Sequence, residues 1–143
     1  MDQIELLKTK GIRVIKLKNK RNELRSQWEE VFTKQLSNSQ KRKIYFHQHL
    51  WHVFSYNKLP CLEGQKARET FDKKKKDVCY IFYQDNEYVL LLENAKGLMA
   101  KDIINEINGY INDVYVVDKD FLWTYIHTHE YFCGPYFYQP DKE

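Results

Sequence analysis

The stretch DVYVVDKDFLWTYIHTHEYFCGPYFY, residues 113–138, holds the densest aromatic run of the sequence and two of its five histidines. Side chains of a β-strand alternate between the two faces of a sheet. On this basis Val114 and Val116 share one face of a strand, a turn follows at residues 118–120, and a second strand comes after it. One face of that second strand is predicted to carry Phe121, Trp123, Tyr125, His127 and His129. We expect this aromatic hairpin at the centre of a sheet.

Around the hairpin, periodicity and turn residues predict further elements. The clearest helix covers residues 20–36, where one apolar stripe is formed by Leu24, Trp28, Val31 and Phe32. Other segments are predicted as helices at residues 40–49 and 100–108 and as strands at residues 51–56, 77–83 and 88–93, with a helix continuing to Phe54 as the alternative for the first strand. We expect one α+β domain spanning residues 1–143, with a mixed, mostly antiparallel sheet of five or six strands covered by three or four helices.

Composition bounds the class of protein. With 143 residues, of which 43% are hydrophobic, the chain is long enough to bury a core. No segment approaches the roughly 18 uninterrupted apolar residues of a membrane helix, and the N-terminal MDQIELLKTK lacks the apolar core of a signal peptide. The cysteines, Cys61, Cys79 and Cys133, are odd in number and widely spaced, a pattern typical of a reducing compartment. We expect a cytoplasmic protein with free thiols.

The net charge of +3 conceals an uneven distribution. Residues 1–76 contain 19 Lys and Arg against 8 Asp and Glu, whereas residues 77–143 contain 4 against 12. The basic side chains, with Tyr45, Phe46 and Tyr56 nearby, are compatible with a nucleic-acid surface. No RRM-like, KH or helix-turn-helix signature is legible in the sequence. We therefore favour attraction between the two halves of one fold, and keep nucleic-acid binding as an alternative.

The histidines form two groups, one of His47, His49 and His52 and one of His127 and His129 followed by Glu130. On one strand face, His127 and His129 would lie about 6–7 Å apart, close enough to bind one metal ion. A third ligand from His47 or His49 would complete a zinc or iron site. No HExxH pattern or cysteine pair supports such a site. We therefore expect no cofactor, and keep a metal ion as the alternative.

Catalysis has two candidates, His129 and Glu130. Cys133 would complete a thiol–imidazole–carboxylate set with them, but such sets usually come from distant segments, so Cys133 is better interpreted as a packing residue. The motifs GxSxG, GxGxxG and the Walker loop are absent from the sequence. In a continuing strand the two candidates point to opposite faces, whereas a strand that ends at Thr128 lets both project from the sheet edge, where they would serve function. A buried placement, which we favour, would instead let His129 or Glu130 hydrogen-bond backbone amides and hold the C-terminal tail.

The C-terminal GPYFYQP, residues 134–140, offers two interpretations. The aromatic tail folds back onto the sheet, which we favour, or it anchors a partner. Under the second interpretation the candidate binding residues are Trp51, His52, Tyr136 and Phe137.

Four segments together resemble a known family: LWHVFSY (50–56), CLEGQKARETF (61–71), DVYVVDKDFLWTYIHTHE (113–130) and GPYF (134–137). They resemble domain-of-unknown-function family 4275, small bacterial proteins, over nearly the whole chain. This resemblance implies no activity. The hairpin at residues 114–130 is also similar to the closing hairpin of several small immunity proteins. We expect a non-enzymatic protein-binding or regulatory module whose partner is another protein, with a metal-dependent enzyme or a nucleic-acid binder as the alternatives.

Overall fold

The computed structural model describes residues 3–44, 46, 49–56, 59–84, 87–104, 106–107, 110–111, 113–130 and 133–140. Within these residues the protein is a single α+β domain with a seven-stranded antiparallel sheet and five helices. The predicted class is therefore confirmed, although both predicted counts are too low. His47 and Tyr45, named among the candidates above, lie outside the described residues.

The helices are α1 (Gln3–Thr9), α2 (Arg21–Phe32), α3 (Asn38–Lys43), α4 (His52–Ser55) and α5 (Gln65–Lys73). The strands are β1 (Arg13–Leu17), β2 (Leu62–Glu63), β3 (Cys79–Tyr83), β4 (Val89–Glu93), β5 (Glu106–Ile107), β6 (Tyr110–Ile111), β7 (Val114–Asp118), β8 (Thr124–His127) and β9 (Tyr136–Tyr138). Short 3₁₀ turns cover Ala95–Gly97 and Ala100–Asp102. The large sheet has the order β1-β4-β3-β7-β8-β9-β2, and β5 pairs with β6 separately. No helix in the described part of the chain has the length and apolar character needed to cross a bilayer.

The predicted aromatic hairpin is formed by β7 and β8, and β7 is the middle strand of the sheet. Val114 pairs with His127, and Val117 pairs with Thr124. β8 begins only at Thr124, because the preceding turn is longer than the sequence suggested and Phe121 adopts a left-handed backbone with φ of 56°. Phe121 therefore packs on the opposite face of the sheet from Trp123, contrary to the predicted alternation.

Two hydrophobic cores cover the two faces of the sheet. Val114 and Val116 contribute to the core that contains Trp123, whereas Tyr115 and Val117, which alternate with them, contribute to the other. This second core contains the apolar stripe of α2, with Leu24, Trp28 and Phe32 all buried. The predicted helix is thus confirmed, although it ends at Phe32 rather than at residue 36.

Three segments differ from their predicted elements. The helix predicted at residues 40–49 is α3, which ends at Lys43, and residues 45, 47 and 48 lie outside the described residues. Residues 51–56, predicted as a strand, instead contain the short helix α4. The stated alternative, a helix continuing to Phe54, gave the helical conformation but not the break, because α3 ends at Lys43 and α4 begins at His52.

Of residues 100–108, predicted as a helix, residues 105 and 108 lie outside the described residues. The described ones include a 3₁₀ turn at Ala100–Asp102 and β5 at Glu106–Ile107, which pairs with β6. The Asn108-Gly109 dipeptide stands between β5 and β6 in the sequence and is a strong hairpin signal that outweighs the isoleucine periodicity.

The C-terminal tail folds back onto the sheet, as we expected from the sequence. Its strand, β9, lies between β8 and β2. Tyr136 and Tyr138 enter one core and Phe137 the other, so all three rings are buried.

Candidate metal site at the end of the central hairpin

One end of the β7–β8 hairpin brings two distant polar residues together. Asp113 immediately precedes β7, and His129 follows β8 by two residues. Because the strands are antiparallel and Val114 pairs with His127, these residues meet where the strands separate. His49 joins them from the segment before α4. Strand ends of this kind present side chains to ligands while the sheet holds them in place.

Asp113 is the centre of the group, and its side chain is fully buried. Its Oδ1 accepts a hydrogen bond from the backbone N of His129 at 2.6 Å and lies 2.8 Å from His129 Nδ1. Its Oδ2 lies 3.8 Å from His49 Nε2 and forms no hydrogen bond with any described residue. One oxygen of the carboxylate is therefore well satisfied and the other is not.

A buried carboxyl group in this position requires a nearby positive charge if it is ionised. Removing an ion from water costs several kcal/mol, and this cost is recovered only by a counter-charge with good geometry. The groups that face the two oxygens are imidazoles, which are neutral or cationic depending on protonation. The required charge comes from a protonated histidine or from a bound cation.

The second nitrogen of His129 also has a partner. His129 Nε2 lies 3.3 Å from Glu130 Oε1, and the Glu130 side chain is 55% exposed. Glu130 therefore reaches His129 from the solvent side, while Asp113 reaches it from the interior. The sequence left open whether the strand continues through His129 and Glu130. The structure shows that β8 ends at His127, so both side chains lie beyond the end of the strand.

The segment that carries His49 is fixed by a buried polar network. Gln84 Oε1 accepts hydrogen bonds from the Leu50 backbone N at 3.1 Å and from the Tyr115 hydroxyl. The Trp51 backbone N donates to the Tyr115 hydroxyl at 3.3 Å. The Trp51 ring packs against both site histidines, with ring centroids 5.4 Å from His49 and 6.0 Å from His129. His49 is therefore held close to Asp113 by neighbours that are outside the candidate ligand set.

His49, Asp113 and His129 can together hold a metal ion. Each offers one ligand atom, and the three atoms lie within 4.8 Å of one another. Two imidazoles and one carboxylate suit zinc and iron(II), and three protein ligands leave positions open for water or substrate. Metal–ligand bonds of about 2.0–2.2 Å require the three atoms to draw closer when an ion binds.

The structure rearranges the predicted ligand set. His49 and His129 come together as candidates, but His127 does not join them, because β8 ends at His127 and the chain then turns away from strict alternation. His127 lines a separate pocket, where burial and the Arg68 guanidinium lower its pKa and Asp113 opposes them. Sequence reasoning missed Asp113, although a carboxylate immediately before the strand of a hairpin that ends in histidines is a readable signal.

The other binding candidates are mostly buried. Trp51, Tyr136 and Phe137 are each less than 5% exposed and pack in the cores. His52 Nδ1 lies 2.6 Å from the Ile44 carbonyl oxygen, which fixes its ring. The placements of Tyr136 and Phe137 support the packing interpretation of the tail, and partner binding by the four residues stays a prediction.

The thiol candidate has no support as a nucleophile. All three cysteines are free, as the sequence predicted. Burial raises the pKa of Cys133, and the nearby Glu130 carboxylate adds to this shift. The thiolate, which is the nucleophilic form, is therefore disfavoured.

Several predicted phosphate-binding cations have partners within the fold. Lys20 pairs with Glu23 at 3.1 Å, and Lys41 is buried against Glu29 at 3.5 Å. Arg21 donates through Nε to the Tyr83 carbonyl oxygen at 3.3 Å. Nucleic-acid binding through the basic half stays a prediction.

Comparison with known proteins identifies a family and no activity. A search of curated proteins found no significant match, and a search of solved structures found none either. A family model described as "Domain of unknown function (DUF4275)" matches residues 1–137. The chain therefore belongs to the DUF4275 family.

Proposed function

We propose that the protein binds a divalent transition-metal ion, zinc or iron(II), through His49, Asp113 and His129. The observation that carries this proposal is the Asp113 carboxylate, fully buried between two imidazoles with an Oδ2 that accepts no hydrogen bond from described residues. A cation placed there supplies the missing charge and the missing contact together. Buried groups of this kind in native proteins call for such an explanation.

The contacts of His129 suggest how the ligands are oriented. If Nδ1 binds the ion beside Asp113, Nε2 carries the proton and donates it to Glu130, which lies 3.3 Å away. A carboxylate that fixes the tautomer of a metal-bound histidine is the usual outer partner in such sites. Glu130, a catalytic candidate from the sequence, thereby acquires a positioning role.

A metal ion at this place suits hydrolytic chemistry. Three protein ligands leave a position for water, whose pKa falls to about 7 on zinc. His49 and His129 are both partly exposed, so the ligand set is reachable from solvent. A metal-dependent hydrolase is the reaction class that we infer from this ligand set.

Protein binding, the leading expectation from sequence, has less support in the described surface. The large exposed apolar side chains are distributed over separate elements: Leu6, Tyr56, Leu62, Tyr88, Ile104 and Leu122. A contiguous apolar patch is the usual mark of a protein interface. A regulatory partner stays a prediction.

The test is metal analysis of protein that carries no histidine tag. Chelator-treated protein is titrated with zinc in a calorimeter, and cobalt(II) is added separately to give a visible spectrum that reports coordination number. We expect one zinc ion per chain and the intense bands of a four- or five-coordinate cobalt site. Binding that is weak and not stoichiometric would contradict the proposal.

Matched variants separate a site from general histidine affinity. His49→Gln and Asp113→Asn should each weaken zinc binding by about 100-fold or more, since loss of an outer partner alone costs 10–100-fold. Glu130→Gln removes only an outer partner, so it should weaken zinc binding by about 10–100-fold. His127→Gln, a histidine on the same hairpin outside the ligand set, should bind as the wild type does. Equal binding by Asp113→Asn and wild type would show that the cluster is a structural ion pair.

A further inference from the structure

A second concave site lies away from the metal ligands, on the face of β8 that carries Tyr125 and His127. The cavity has a volume of about 280 Å³. Helix α5 forms one wall with Gln65, Arg68 and Asp72, and the segment around the second 3₁₀ turn forms the other. This volume is slightly below the range of about 300–1,000 Å³ typical of drug-sized ligands, so its occupant is a small molecule.

The floor of the pocket is a buried tyrosine without a polar partner. Tyr125 is 1% exposed, and its hydroxyl forms no hydrogen bond within the described part of the chain. Its ring is stacked on Phe71 at 4.3 Å, which fixes the direction of the hydroxyl. Burial raises the pKa of Tyr125, so the group is a protonated donor at neutral pH. The hydroxyl of Tyr125 keeps access to the cavity and has no described protein partner, so it is available to donate to a ligand or to ordered water.

The charges around the pocket favour an anion. Arg68 and Lys101 line it, and neither forms an ion pair with any residue that the structure describes. Asp72 is the carboxylate of the pocket, and its Oδ1 is already used, accepting from the Ala100 backbone N at 2.7 Å. The Arg68 guanidinium is near enough to lower the pKa of both Tyr125 and His127. One cation therefore faces the polar groups of the floor.

The remaining lining is apolar. Met99, Ala100 and Ile104 form it, and Ile104 is 43% exposed despite its hydrophobic side chain. A ligand with a hydrocarbon part would cover this isoleucine. Two cations against one carboxylate leave a single net positive charge, which matches a monoanion better than a phosphate dianion.

We propose that this pocket binds a small organic carboxylate, with its anionic group against Arg68, Lys101 and the Tyr125 hydroxyl and its apolar body against Met99, Ala100 and Ile104. Arginine is suited to this role because its guanidinium forms paired hydrogen bonds with a carboxylate. The pocket and the metal ligands share no residue, so this site goes beyond the proposed metal function and can exist without it.

The probes are benzoate and hexanoate, with benzamide as the uncharged counterpart of benzoate. Proton–nitrogen NMR spectra of the full chain are recorded as each probe is added to millimolar concentration. We expect saturable shifts confined to α5, residues 99–104 and β8 with at least one carboxylate, and intermolecular contacts to the Tyr125 ring. The affinity for benzamide should be lower than that for benzoate by about tenfold or more, because benzamide cannot form the charge-assisted hydrogen bond.

Three variants decide the assignment. Arg68→Gln should weaken carboxylate binding about tenfold or more, and Tyr125→Phe, which keeps the ring, should weaken it several-fold. Lys66→Gln is the matched control, because it removes the same charge from an exposed position of the same helix, and it should leave binding unchanged. The proposal is overturned if neither carboxylate gives saturable shifts in the wild type, or if Arg68→Gln binds as tightly as Lys66→Gln.

Discussion

Two aspartates are buried among the residues that the structure describes, and their surroundings differ. Asp102 is 4% exposed, and its Oδ2 contacts the Lys10 ammonium at 2.5 Å and accepts from the Met99 backbone N at 2.9 Å. Asp113 is fully buried, but it faces the imidazoles of His49 and His129 and has an oxygen with no hydrogen bond to described residues. The first carboxylate has a permanent counter-charge, and the second has a conditional one.

The difference separates a carboxylate that is compensated without any ligand from one that a bound ion would compensate under the proposed metal function. An amine such as that of Lys10 is charged at every physiological pH, so Asp102 stays compensated without any ligand. Imidazoles change charge near neutrality and bind metals in the neutral form, so Asp113 can exchange a proton-borne charge for a metal-borne one. The exposed fractions of Asp102 and Asp113 are nearly the same, so burial alone does not distinguish the two residues.

Trp123→Ala should have the largest effect on the free energy of unfolding. It also serves as a reference for the aspartate variants, because it changes no charge. Trp123 lies at the other end of the same hairpin, 2% exposed, and packs between Phe71 and Phe137 at ring distances of 5.7 Å. Truncation of a buried tryptophan costs about 3–5 kcal/mol. Urea unfolding should show this loss equally with and without zinc. A soluble variant with an unshifted transition would show that the ring is outside the core.

Asp113→Asn tests the conditional charge directly. At a free zinc concentration 100 times the dissociation constant, the wild type should gain about 2.7 kcal/mol of unfolding free energy. The variant, which keeps the shape of the side chain but loses its charge, should gain almost nothing. The measurement is urea unfolding with zinc present and with a chelator present. An equal zinc gain in both proteins would remove Asp113 from the ligand set.

Asp102→Asn tests the permanent charge. Loss of the charge-assisted contact with Lys10 should cost about 2 kcal/mol, and the loss should be the same with and without zinc. Glu93→Gln is the matched control, because Glu93 pairs with Arg13 at 3.3 Å on the surface, with side chains 40% and 74% exposed. Exposed pairs contribute about 0–1 kcal/mol. If Asp102→Asn costs no more than this control, the contrast between buried and exposed pairs fails here.

The sequence predicted the parts of the fold that depend on local pattern. The α2 stripe, the β3–β4 hairpin and the β7–β8 hairpin each follow from periodicity within a few residues. The elements predicted at residues 51–56 and at the described part of 100–108 were wrong because short apolar runs fit a helix and a strand equally well. Tertiary contacts decided them: α4 is held by the Tyr115 and Gln84 network, and the segment at Asp102 by Lys10.

The candidate site was half predictable for the same reason. His129 stood out in the sequence as part of a histidine pair, but its actual partners are 16 and 80 positions away. Strand alternation placed His127 beside it, and alternation holds only where the strand continues. Asp113 became visible once the register of β7 and β8 was known, since Val114 opposite His127 places Asp113 at the same end as His129.

Lys76 is another buried charged residue, and its replacement has the smallest expected effect. Lys76 is 3% exposed, and its partners are neutral: the Lys74 carbonyl oxygen at 3.1 Å and the face of the Phe71 ring at 4.5 Å. Burial lowers the pKa of Lys76, and Lys10 adds to this, whereas Cys79 and Asp72 oppose it. A charge held by neutral acceptors belongs to neither of the two aspartate classes.

The direction of the shift fixes the pH dependence of stability. The pKa of Lys76 in the folded protein lies below its value of about 10.4 in an unfolded chain. Between these two values the unfolded chain binds more protons, so the stability of the wild type should rise with pH through this window. Lys76→Met removes the group, so wild-type stability relative to the variant should increase from pH 7 towards pH 10.

Urea unfolding of both proteins at matched pH values measures that difference, and groups common to both cancel. Burial raises the pKa of Cys79 to about 12, which places that thiol above the window in either protein. Lys75→Met, at the exposed neighbouring position, is the control. The difference in stability between the wild type and this variant should stay constant with pH. At pH 7 the effect of Lys76→Met should stay below about 1 kcal/mol, since replacing a buried charge by an apolar side chain of similar length is often neutral. A difference that falls with pH would mean that the folded protein favours the charged amine, and Lys76 would then belong with Asp102 as a paired charge.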